Sequence, residues 1–213
     1  MAVFPIVFLA QPLISVMVAP GAAAGALKHT NELLYLLGIP ILVPATLAAH
    51  AVAGERQQGS LEPVLTTPIT REEFILGKAL AVMIPAIVIG YVVYALFLVA
   101  VALFAQPSVA AAVVQGQDLI VQLFYTPLLA AAATWIGLAI STRSSDTRVA
   151  QQLSIFGSLP LLLGAIALAF DIIHVTNALL IVVGVALIVF DLQAYRFVAP
   201  LFDREKLIAG TRS

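Results

Sequence analysis

The feature that most constrains this chain is a series of apolar runs, each long enough to cross the roughly 30 Å hydrocarbon layer of a bilayer, which takes about 20 helical residues. They lie at 2–19, 33–53, 79–104, 119–142, 149–170 and 175–195. The runs are rich in Ala and Leu and show no period-2 alternation, so they read as helices rather than barrel strands. Inside hydrocarbon every backbone N–H and C=O has to be paired, and a helix does this within its own segment. Composition agrees, with 62% hydrophobic and 10% charged residues, where a soluble domain carries about 25% charged. The expected fold is an all-α integral membrane protein with six transmembrane helices. No repeat, linker or composition shift marks a second domain, so one domain over 1–213 is expected.

Basic side chains set the orientation. Arg56, Arg71 and Lys78 follow the second run, Arg143 and Arg148 join the fourth and fifth, and Arg196, Arg204, Lys206 and Arg212 follow the sixth. Lys28 alone falls on the other side. The positive-inside rule then places the second-to-third loop, the fourth-to-fifth loop and the C-terminus in the cytoplasm, and an even number of spans puts the N-terminus there too. No Lys or Arg precedes the first run, and Ala22–Ala26 resembles a small-residue cleavage region. Cleavage there, as in a signal peptide, would leave five spans in the same orientation.

Several chemistries are excluded. With no cysteine there is no disulfide, thiolate metal site or cysteine nucleophile, and His29, His50 and His174 are far apart. Neither a Gly-x-Ser-x-Gly elbow nor a His-Glu-x-x-His helix occurs, so no catalytic residue, metal or nucleic-acid partner is expected.

The most informative segment is 54–78, GERQQGSLEPVLTTPITREEFILGK, which gathers more charge than any other loop. A charge at the bilayer centre costs about 2.5 to 3.5 kcal/mol even on lenient scales, so this segment belongs in water or at the membrane surface. Ser60 is placed to cap a short helix whose first turn carries Glu62, with Leu61, Val64 and Leu65 on one face. Thr67-Pro68 ends it, because the residue before proline is driven out of the α region. A second helix starts at once: Thr70 and Glu73 have capping-box spacing, and Ile69 with Phe74 that of a hydrophobic staple. Counted from Arg71 to Phe104, that helix would be roughly 50 Å long. It should therefore begin outside the hydrocarbon, with Lys78 snorkelling at the interface. Physics alone leaves two readings of the short amphipathic helix: a lever for a cytoplasmic partner, or a surface-lying cover for the bundle.

The same residues resemble a known family, the membrane subunits of ABC transporters of the ABC-2 type. Its signature after the second membrane helix is matched in order and spacing by Glu55, Arg56, Gly59, Ser60, Leu61, Glu62, Leu65, Thr67, Pro68, Arg71, Glu73, Gly77 and Lys78. The six-run hydropathy layout and the Arg148-Val149-Ala150-Gln151-Gln152 entry to the fifth span, with Pro160 inside it, are similar too. The resemblance implies a permease that pairs with a second, identical or related permease chain. It also implies two cytoplasmic ATPase subunits bound through a coupling helix, with ATP and Mg on those subunits and a substrate moved outward across the inner membrane. Gly77-Lys78 is followed by Ala79, and Glu72 stands five positions before Gly77, so no Walker A loop is present and the ATPase is expected to be a separate chain. Two departures stand out. The sequence enters the first run almost at once, at Met1-Ala2-Val3-Phe4-Pro5, where family members usually carry an amphipathic helix, so either that element is dispensable or the true start lies upstream. The segment 171–177 is too short for the re-entrant helices many relatives carry.

Other residues carry weaker signals. Tyr91 and Tyr94 in the third run, with Gln122, Tyr125 and Thr126 in the fourth, are candidates for a polar substrate path, as is Gln152 in the fifth; hydrogen bonds between helices explain them equally well. Asp191 is the only acid well inside an expected span, and its nearness to Tyr195 and Arg196 favours an interfacial anchor over ion handling. A secondary transporter or channel acting alone is the competing function, and it would need ion-binding polar groups near the midplane.

Overall fold

The computed structural model describes residues 3–18, 32–58 and 70–202, and all the regular structure among them is helical. In chain order the helices are α1 (Val3–Val18), α2 (Glu32–Tyr35), α3 (Gly38–Ala49), a π-helical segment (His50–Gly54) and α4 (Glu55–Gln58). Then come α5 (Arg71–Phe104), α6 (Pro107–Val113), α7 (Gly116–Arg143), α8 (Thr147–Ala169), α9 (Asn177–Val198) and a closing 3-10 turn (Ala199–Phe202). Five stretches are long and apolar enough to cross a membrane: Leu33–Gln58, Glu72–Phe104, Gly116–Arg143, Thr147–Ala169 and Asn177–Val198. These are the second to sixth expected spans. The first expected span is α1, whose 16 residues cover about 24 Å at 1.5 Å per residue. That is short of a full crossing by its described part.

The second span sits at the centre. In the most apolar 18 residues of Leu33–Gln58, 83% are buried, against 22% in those of the α5 and α8 spans and 11% in that of α9. Its hydrophobicity is nearly continuous, as a helix surrounded by others requires, and α3 packs on α1, α5, α7 and α8. The break between α2 and α3 has a local cause. Pro40 has no N–H to give to Leu36 four residues earlier, so the Leu36 carbonyl accepts from Ile39 instead, at 3.1 Å, and the turn tightens.

The α5 helix begins where its sequence grammar places it. Glu73 N–H donates to Thr70 Oγ1 at 3.3 Å, and Thr70 N–H donates to Glu73 Oε2 at 2.9 Å, completing the capping box. Such a cap is worth about 1 kcal/mol to the helix. Along α5 the buried residues Ile75, Ala79, Val82, Ala86, Val93, Phe97 and Val101 recur every three to four positions or at double that interval, while Leu80, Ile84, Val88, Val92 and Leu96 form an exposed stripe. Exposed aliphatic stripes of this kind are what a helix offers to lipid tails.

Antiparallel packing fixes the register of α5 against α7. Tyr91 Oη donates to the Leu123 carbonyl at 2.7 Å, and a Cβ on Gly90 would meet Thr126 Cγ2 at 3.3 Å. At one end of the bundle, Ile75, Val52, Leu138, Trp135 and Val198 form a common cluster that brings α5, α7, α9 and the π segment together. The charged segment flanks this end, hereafter the motif end. At the other end α8 stops at Ala169, and Asp171 turns the chain with φ 54°, a left-handed value that Asp tolerates better than most residues. The Thr176 hydroxyl then caps α9 by accepting from Leu179 N–H at 3.2 Å.

Candidate functional site

The candidate site is the motif end, where the residues flanking 59–69 come together. The expected segment 54–78 is not one loop. Residues 54–58 continue the second span as the end of the π segment and α4, and 71–78 are the first two turns of α5. Gly59, Ser60, Leu61, Glu62, Val64, Leu65, Thr67 and Pro68 lie outside the described residues, as does the side chain of Arg71.

What is described is a clamp. Lys78, expected to snorkel, instead pairs with Glu55, 23 positions earlier, so one ion pair joins the two arms that enter and leave the segment. Lys78 Nζ also lies 5.4 Å from the centroid of the Phe74 ring one turn before it. Arg56 reaches the other way, across to the last turn of α7. Its Nη1 donates to the Ser144 carbonyl at 3.0 Å and its Nη2 to the Thr142 carbonyl at 3.2 Å. The final carbonyls of a helix have no partner within it and carry the negative end of its dipole, so a guanidinium fork is a strong match for them. Thr147 Oγ1, in the first turn of α8, donates to Gln57 Oε1 at 3.0 Å. The α7–α8 junction is thereby tied to the stalk of the motif through two successive residues.

Behind this clamp lies the π segment. Ser141 of α7 is fully buried, and its hydroxyl donates to the Ala49 carbonyl at 3.0 Å while accepting from Val52 N–H at 3.3 Å and Ala53 N–H at 3.0 Å. One donor and two lone pairs are all a hydroxyl has, so its capacity is used completely. Above it α3 and α7 are in close contact at Gly137, where a Cβ would lie 2.5 Å from that of Ala48. None of this was visible in the sequence. The partners are 86 to 92 positions apart, and most of the acceptors are backbone carbonyls that any residue carries.

The expected polar path divides. Tyr91 and Tyr125 have their hydroxyls committed to backbone, Tyr91 to Leu123 and Tyr125 to the Leu180 carbonyl of α9. Gln152 is on the exposed side of α8, away from the other four. Gln122 is fully buried and gives its Nε2 to Thr126 Oγ1 at 3.3 Å, while its Oε1 and the Tyr94 hydroxyl are buried without a hydrogen-bond partner among the described residues. Asp118 belongs with them and was missed. The sequence places the fourth span from 119, but α7 starts at Gly116, so Asp118 is a buried acid one turn before Gln122. Asp191 is therefore not the only acid within a span. Next to Tyr125 lie an apolar cavity of about 230 Å³, walled by Leu37, Leu129, Pro160, Gly164 and Leu187, and a groove between α7 and α9 that opens sideways.

Among the described residues no three His, Cys, Asp or Glu side chains are grouped to hold a metal ion. A family model described as "ABC-2 family transporter protein" matches residues 4–180. No curated protein and no solved structure matches the chain.

Proposed function

Because this chain belongs to the ABC-2 family of transporter proteins, a family of multi-pass transport components that associate with ABC ATPase subunits rather than catalyse, we propose that it is the permease subunit of an ATP-driven exporter. In this reading α1 completes a six-span bundle in the inner membrane, both termini are cytoplasmic, and the motif end faces the cytoplasm. The coupling segment, 54–78, seats in a separate ATPase subunit that binds ATP and Mg. A second permease copy, identical or related, completes the pathway for a substrate that is not identified.

The observation that carries this reading is the double anchoring of the motif. Both arms are pinned to each other by Glu55 and Lys78, and the first arm is pinned to the α7 terminus by Arg56. A helix lying passively on the membrane surface needs no such fastening, whereas a lever must transmit force to the bundle. Affinity capture of the tagged chain is expected to retain an ABC ATPase. Leu61→Asp and Glu62→Lys are each expected to reduce that capture at least tenfold, with the chain itself still in the membrane. Wild-type capture and transport in both variants would remove the coupling role from this segment.

A stand-alone secondary transporter is the second reading, favoured by the buried Asp118, Gln122 and Thr126 spaced four apart on α7. Transport by the purified chain in liposomes, driven by an ion gradient and indifferent to ATP, would decide for it.

A further inference from the structure

The π-helical segment His50–Gly54 sits immediately before Glu55 and Arg56, and its backbone is held from outside by one side chain. A π turn carries one residue more than an α turn, widens the helix and leaves backbone groups out of the i to i−4 pattern, so such segments are rare and concentrate at functional sites. Here the external hold on its backbone is the Ser141 hydroxyl, bonded to Ala49, Val52 and Ala53 at once. The surroundings are fitted to that widened turn. Gly54 has room for only an ordinary contact with His50 and the Thr147 methyl, at 3.4 and 3.5 Å from an added Cβ. Directly beyond, Arg56 and Gln57 fasten the stalk to the α7–α8 junction.

We propose that Ser141 is a positioning residue that holds this segment in its π form, and that release of its hydroxyl lets the segment wind into α-helix, turning the stalk beyond it against α7. Absorbing the extra residue rotates everything C-terminal to it by one residue step, about 100°, and shifts it about 1.5 Å along the axis. That motion swings Arg56 off the Thr142 and Ser144 carbonyls, so the Arg56 fork and the Ser141 hydroxyl open together. The stalk and the α7–α8 junction thus have two arrangements, fastened and released, which is what a bistable element needs. The mechanical meaning of the switch rests on the coupling role proposed above. The existence of the two helical forms does not.

The test uses the absence of cysteine from the chain. Spin labels are placed at Gln58→Cys, exposed at the end of the stalk, and Phe124→Cys, 62% exposed on α7, with the full chain in lipid nanodiscs. The parent is expected to give one dominant distance. Ser141→Ala is expected to move most of that population to a second distance, and Ser141→Thr to restore the parent value. Deletion of Ala51, which removes the extra residue itself and leaves nothing to absorb, is expected to keep the parent distance even when combined with Ser141→Ala. Ser141→Gly, which lacks the hydroxyl too, serves as the independent variant if Ser141→Ala does not accumulate. An unchanged distance in Ser141→Ala, or the second distance in the deletion carrying Ser141→Ala, overturns the proposal whatever the chain transports. In the assembled transporter, Ser141→Ala is expected to keep ATPase capture while transport per ATP falls at least fivefold. Loss of capture in the parent itself would strike the coupling role alone.

Discussion

Gly137→Val is expected to abolish accumulation of the folded chain, because an added Cβ would lie 2.5 Å from the Ala48 Cβ and 3.8 Å from its Cα. Ala48 has no side-chain torsion with which to withdraw, so α3 and α7 must separate. This is the contact between the central span and its most extensive neighbour, and within lipid such close approach through small residues supplies the dispersion attraction that holds helices together. Overpacking of a tight interior costs about 1 to 3 kcal/mol even where neighbours can move, a large share of a total stability of about 5 to 15 kcal/mol. Fluorescence-detected size exclusion and a thermal melt in detergent read the outcome. Gly137→Ala should be milder, and pairing it with Ala48→Gly should restore most of the loss. A wild-type melting temperature for Gly137→Val would show that α3 and α7 are not packed this closely.

Arg56→Met should have the second largest effect, this time on function as well as stability. It removes two charge-assisted hydrogen bonds to the Thr142 and Ser144 carbonyls, contacts worth about 1.5 to 3 kcal/mol each, at the negative end of the α7 dipole. Transport by the assembled permease is expected to fall at least tenfold. Arg56→Lys should recover only part of it, since an ammonium is a point donor and cannot span two carbonyls as a planar fork does. Equal transport by parent, Arg56→Lys and Arg56→Met would mean that the stalk does not act through α7.

Much of the architecture is local and was therefore readable. The α5 start follows from Thr70 and Glu73, whose mutual hydrogen bonds span three residues and need no tertiary context. The ends of α7, α8 and α9 follow from hydropathy, because the bilayer demands continuous apolar runs. What escaped was decided across the bundle. Nothing near Ser141 in the sequence indicates that its hydroxyl completes a π turn about 90 positions earlier, and Glu55 gives no sign of choosing Lys78. Pro40 disturbs the second span through its missing N–H, but whether the chain kinks or tightens there depends on which carbonyl Ile39 can reach. Asp118 was lost to a boundary placed three residues late, since it follows Gly116 and Gln117, which are exposed, and becomes buried only through α7 packing. The short α6, apolar and without a side-chain cap, offered neither the length nor the caps that mark a helix in sequence.

The proposed coupling role requires the charged segment to face the cytoplasm. Single cysteines at Ser60 and at Glu72, in a chain that otherwise has none, can be labelled with a membrane-impermeant maleimide in sealed vesicles of known sidedness. Modification in inside-out vesicles and protection in intact cells is the predicted result. Modification from the outside of intact cells, with protection in inverted vesicles, would contradict it.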